Sequence, residues 1–133
     1  MNTLLLDIHD DTVIEAIRDL HKTDMVFGSI DDQSIDTLPD LIIVDFDVIF
    51  ETNEREMTFT EITSKAHRHE IVVVALSKEW NDDLKGHARR FGADECLGYE
   101  DLATIRTVVH IIEASNKLRQ NKAKSIIATE IIK

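Results

Sequence analysis

Asp45 closes an apolar run and is the first residue in this chain placed to do chemistry. Residues 38 to 50 read LPDLIIVDFDVIF. Leu41, Ile42, Ile43 and Val44 show no polar alternation, the pattern of a strand covered on both faces within a parallel sheet. Pro39 can precede such a strand but could not sit inside it. In open parallel sheets, ligands and reactions gather beyond the carboxyl ends of the strands, and Asp45 falls there. A carboxylate in that place can form a site or merely cap the next turn, so its surroundings decide. Ser77 ends a second apolar run, IVVVAL from Ile71 to Leu76. The six histidines are scattered, and His67 and His69, two apart on a helix, point away from each other. No metal site is expected from them, and they read as solvated.

The elements that must position Asp45 and Ser77 alternate along the chain. TLLLDI from Thr3 to Ile8 reads as a buried strand, followed by N-cap candidates Asp10, Asp11 and Thr12. The helix they start runs about three turns, with Val13, Ala16, Ile17 and Leu20 on one face. Met25 to Gly28 is a second short strand. The polar stretch SIDDQSIDTLPD then leaves room for one or two helical turns at most. After Asp45, FDVIFETNERE reads as a loop and a helix follows from about Glu56 to His69, with Phe59, Ile62 and Ala66 inward. A further helix from about Trp80 to Phe91 turns Leu84, Ala88 and Phe91 inward and has Gly92 at its C-terminal cap. Ser77 is a candidate cap for its start. Asp82 and Asp83 lie in its first turn, where they complement the helix dipole. Cys96 and Leu97 mark a last short strand, and from Asp101 to Lys133 no Pro or Gly interrupts a helical pattern. Five strands alternating with helices predict an α/β, doubly wound, flavodoxin-like sandwich on a five-stranded parallel sheet, with a shortened second helix and an extended C-terminal helix.

Composition bounds the function. The chain has 133 residues, 43% of them hydrophobic, enough for one domain with a sizeable core. No apolar run approaches the ~18 residues of a membrane span, and the start lacks the pattern of a secretory signal. One cysteine, Cys96, fits a reducing compartment, so a soluble cytoplasmic protein is expected. A formal charge of -11 argues against direct nucleic-acid binding, which needs Lys and Arg to displace counterions. The charge is uneven. From Ser115 onward five cations oppose Glu130, giving +4 and leaving -15 for residues 1 to 114. The chain therefore divides into a domain over 1–114 and a basic helical extension or linker over 115–133, whose ATEIIK ending reads as cut from something longer.

In order and spacing, PDLIIVD ending at Asp45, IVVVALS ending at Ser77 and GADECL from Gly92 to Leu97 resemble the receiver domain of two-component response regulators. The resemblance spans residues 3 to about 114. It implies that Asp45 is the phosphoacceptor and Ser77 the switch hydroxyl that binds the phosphoryl oxygen. It implies a signal-transduction role rather than an enzyme, with a histidine kinase or other signalling protein as partner and no nucleic acid or membrane bound directly. It further implies Mg²⁺ if the site is active, and pairing of two copies through the fourth helix, fifth strand and fifth helix.

The departures from that pattern are specific. The lysine two residues after the Leu of the GADxxL motif is Tyr99, and the following proline is Glu100. That lysine neutralises charge growing on the acyl phosphate, whereas a tyrosine offers only a hydrogen bond. The Mg²⁺-binding acidic pair after the first strand falls on Ile8 and His9 when aligned without gaps. Shifted, it recruits Asp7 or Asp10, which with Asp45 would form the metal set. The switch aromatic is replaced by Cys96, and the Met-Pro and Gly expected after the acceptor are absent. These departures point to a divergent receiver, with a phosphorylation-independent pseudo-receiver that keeps the fold as an interaction module as the alternative reading. A further reading takes Asp45-Phe46-Asp47 as the DxD of haloacid-dehalogenase-type phosphohydrolases, with Asp45 as nucleophile, Asp47 as general acid and Ser77 in their second motif. Too few strands follow Ser77 to supply the lysine and acidic pair those enzymes need.

Overall fold

A computed structural model of the chain describes residues 2–18, 24–32 and 38–115. Five strands are joined by helices: β1 Asn2–Leu6, α1 Asp11–Arg18, β2 Asp24–Gly28, β3 Leu41–Asp45, α2 Phe46–Ile49, α3 Asn53–Arg68, β4 Val72–Ser77, α4 Asp82–Arg90 and β5 Glu95–Gly98. A final helix, α5, covers 102–115 within the described residues. All strand pairs are parallel, in the order β2-β1-β3-β4-β5. This is the flavodoxin-like order of a doubly wound fold, as the alternation of apolar runs and helices predicts.

Alternation along the central strands divides the core into two layers. Ile42 and Val44 of β3 and Val73 and Ala75 of β4 face Phe59 and Ala66 of α3 and Ala88 of α4. Leu41, Ile43, Val74 and Leu76 face Val13 and Ile17 of α1 and Ile105, Val109 and Ile112 of α5. Each of these strand residues is no more than 1% exposed, which is why the sequence shows continuous apolar runs rather than a period of two.

Three local expectations are corrected. The segment after Asp45 opens not as a loop but as the single turn α2, because Phe46 and Ile49 are both fully buried and pin it to the core. The helix expected from Glu56 begins earlier, at Asn53, where the Thr52 hydroxyl accepts from the Arg55 amide at 3.2 Å. Helix α4 is capped by Asn81, whose side chain accepts from the Leu84 amide at 2.8 Å, and not by Ser77. Asp82 and Asp83 do occupy its first turn. Gly92 follows α4 at φ +111°, a left-handed conformation suited to glycine, and leads the chain into β5. Expectations for Leu20, for residues 33–37 between β2 and β3, and for everything from Asn116 onward lie outside the described residues.

Candidate functional site

The site forms where β3, β4 and β5 end. Parallel pairing sets Asp45 beside Leu76 and Ser77 beside Gly98, so the three loops that follow these strands meet at one edge of the sheet. Asp45 is only partly buried. Its Oδ1 accepts from the Val48 amide at 3.2 Å, which makes it the N-cap of α2. Its Oδ2 accepts from the Tyr99 hydroxyl at 2.5 Å. Burial raises the Asp45 carboxyl above its ordinary pKa, against the lowering effect of these bonds. The Tyr99 phenol is pushed well above its ordinary value, first by burial and then by its bond to Asp45, with the charges of Asp45, Asp47 and Asp10 adding to both.

Tyr99 is held as firmly as Asp45. It lies in a tight turn in which the Asp101 amide donates to the Gly98 carbonyl at 3.1 Å and the Gly98 amide donates to the Asp101 carboxylate at 2.9 Å. The Asp101 carbonyl accepts from the Ile105 amide at 3.0 Å, so the same turn starts α5. Trp80 joins the two sides of the site. Its ring stacks on Phe46, the residue after Asp45, at 5.9 Å, and its indole N–H donates to the Leu97 carbonyl at 2.6 Å.

Ser77 is buried, 1% exposed, and does not bond to Asp45. Its hydroxyl donates to Asp47 Oδ1 at 2.6 Å, and the other oxygen of Asp47 accepts from the Lys78 amide at 3.1 Å. The Asp47 carboxylate thus fastens the start of α2 to the end of β4. As a pair, Asp47 and Ser77 hold each other, an arrangement that does not leave Asp47 free as the general acid of the phosphohydrolase reading.

Asp7 and Asp10 have other partners. Asp7 adopts φ +57°, its amide donates to the Gly28 carbonyl at 2.9 Å, and its Oδ2 accepts from the Ile30 amide at 2.9 Å. Asp10 accepts from the Val13 amide at 3.1 Å and caps α1. Among the described residues, no three His, Cys, Asp or Glu side chains form a group able to hold a metal ion. With Asp7 committed to the β2 turn and both Asp45 oxygens to N–H and O–H donors, the residues present do not fit an octahedral Mg²⁺ site. On the β2 side, Arg55 spans Asp31, through both oxygens at 3.0 and 2.8 Å, Glu51 at 2.6 Å and the Val48 carbonyl at 3.3 Å. It thereby braces the residue whose amide caps onto Asp45.

Sequence reasoning identified the place of Tyr99 but not its contact with Asp45. It missed the roles of Asp47, Trp80, Arg55 and Asp101. Of these only Asp101, an acidic residue ahead of a helical pattern, carried a local signal.

The sheet order is that of a flavodoxin-like α/β fold, with an aspartate at the end of β3 and a buried serine at the end of β4. Neither a protein-family profile nor a curated protein matches the chain. Solved structures do. A response regulator receiver protein from Pseudoalteromonas atlantica aligns over 87% of this chain and 99% of its own, at a TM-score of 0.65 and 10% identity. A CheY-like response regulator from Mesorhizobium loti aligns over 81% and 97%, at 0.58 and 15%. A protein assigned to pilus assembly, CpaE from Burkholderia thailandensis, aligns over 86% and 98%, at 0.64 and 10%. The chain therefore has the fold of response regulator receiver domains, at identities that establish architecture alone.

Proposed function

We propose that this chain is a signalling receiver module that places Asp45 in the phosphoacceptor position but works through protein contacts, without metal-dependent phosphotransfer. The observation that carries this reading is the bond from Tyr99 to Asp45. At the place where the resemblance calls for a cation, a neutral phenol occupies the acceptor oxygen. Phosphoryl transfer to a carboxylate relies on positive charge to offset the charge spread over the transferred group. Here Lys is absent at that place, Asp7 is turned to the β2 backbone, and Ser77 serves Asp47 instead. Each of these supports a receiver fold kept for docking.

In this reading the domain over 1–114 is the signalling body and 115–133 an extension. The partner is a histidine kinase or another signalling protein, or a second copy joined through α4, β5 and α5. The similarity to a protein assigned to pilus assembly, beside response regulators, supports a fold used for contacts. Incubation of the full chain with Mg²⁺ and a small-molecule phosphodonor, followed by intact mass measurement, tests it. No phosphoryl adduct is expected. A stoichiometric adduct that disappears in Asp45→Asn would establish the alternative, a functional phosphoacceptor at Asp45.

A further inference from the structure

The Asp45 to Tyr99 contact joins the loops that follow β3 and β5 directly, side chain to side chain, beside the bridge made by Trp80. On one side, Asp45 caps α2 and precedes the buried Phe46. On the other, Tyr99 sits in the Gly98–Asp101 turn that begins α5. Gly98 is buried, and the two bonds between Gly98 and Asp101 enclose Tyr99 and Glu100 in the turn. The turn that carries Tyr99 also begins α5, whose Ile105 amide donates to the Asp101 carbonyl and whose Ile105 side chain is 1% exposed in the core.

Building on the receiver reading above, we propose that Tyr99 is a built-in latch: its hydroxyl closes the acceptor oxygen of Asp45 and, through the Gly98–Asp101 turn, fixes the start of α5. The β5–α5 face is thus held in one arrangement by a hydrogen bond internal to the chain, with no bound cation or phosphoryl group required. Tyr99 acts as a positioning residue. The raised phenol pKa is what such a closed, half-buried contact with a carboxylate produces.

Two single-copy chromophores make the latch measurable in the full chain. Tyr99 is the only tyrosine, so alkaline absorbance titration reports its phenol alone. Trp80 is the only tryptophan and touches both sides of the latch. Tyr99→Phe and Asp45→Ala should each shift Trp80 emission and speed amide exchange over residues 98–105 by about tenfold, the effect of losing one hydrogen bond to a charged group. Asp45→Asn should stay within about twofold of the parent, because its amide oxygen can accept from Val48 while its NH₂ donates to the phenol oxygen. In Asp45→Ala the phenol should titrate lower than in the parent, because the bond to and the charge of Asp45 are gone while burial still raises it, and in the parent it should not titrate at the ordinary value of about 10. If Tyr99→Phe fails to fold, Asp45→Ala decides, since it removes the same bond and leaves Tyr99 in place. Unchanged emission and exchange in the variant that folds, or ordinary phenol titration in the parent, would overturn the latch. Because phosphodonor labelling of the parent is a separate readout, the latch can fail while the receiver reading stands, and the converse.

Discussion

Two opposing effects meet on the Asp45 side chain. Partial burial disfavours its charge, while the Val48 amide and the Tyr99 hydroxyl favour it, and burial dominates. A carboxyl whose folded pKa is raised binds its proton more tightly when folded. The folded state thus carries no penalty below the ordinary carboxylate range and loses stability as pH rises through the raised value. Asp45→Asn, which keeps both contacts without the charge, should therefore melt higher than the parent at pH 7, with the gain vanishing as pH falls below about 4. Asp45→Ala differs. A carboxylate held only for function could be removed without loss, which is what a strand-end aspartate suggests on sequence grounds. Here it also caps α2 and satisfies a half-buried phenol, and a lost cap alone costs about 1 kcal/mol. At pH 4 and below, where no charge penalty is relieved, Asp45→Ala should be destabilising. Chemical denaturation across pH 3 to 8 would separate the two variants, and an Asp45→Asn with no pH-dependent gain would show that burial does not dominate.

Elements defined by local pattern were legible in the sequence, and those defined by distant partners were not. The runs LIIV and IVVVAL sit in the centre of the sheet because each residue is covered on both faces. Ile43→Ala and Val73→Ala should accordingly each cost ~2–4 kcal/mol in denaturant titrations. The turn α2 gave no comparable signal, since it depends on the burial of Phe46 and Ile49 beneath α3 and α4. The same holds at the site. Asp45, Ser77 and the replacement at Tyr99 follow from spacing along the chain. That Ser77 meets Asp47, thirty residues away, follows only from the lateral order of β3 and β4 and the turn taken by α2. The glycines of this region make the point testable. Gly86, in α4, has open space where a Cβ would go, so Gly86→Ala should stabilise by about 0.5–1 kcal/mol through helix propensity. Gly92, at φ +111°, would drive a Cβ into the Thr63 side chain, whose hydroxyl donates to the Phe91 carbonyl at 2.6 Å. Gly92→Ala should destabilise by about 1–3 kcal/mol. Thermal melts of the two variants should move in opposite directions.

Along the whole sequence, charge is divided unevenly between the body and the C-terminal stretch. The first 114 residues carry -15 and the last 19 carry +4, with Leu118, Ile126, Ile127, Ile131 and Ile132 among the latter. Within the described part of α5, Ile105, Val109 and Ile112 are spent on the core, while Ile111 is 57% exposed on the outer side. Within the described residues, α5 thus closes the layer it joins with Ile105, Val109 and Ile112. Apolar side chains in water gain stability by burial against a partner, and a basic segment is drawn to an acidic body. A second copy supplies both, since each body offers the acidic surface that each extension lacks. The full chain should therefore sediment as a dimer at about 100 μM, and a chain ending at Asn116 as a monomer. Because part of the attraction is between exposed charges, raising salt from about 0.05 to 0.5 M should weaken the dimer without dissolving its apolar contacts. A full chain that remains monomeric at that concentration would assign residues 115–133 to a linker and remove self-pairing from the functions proposed for this fold.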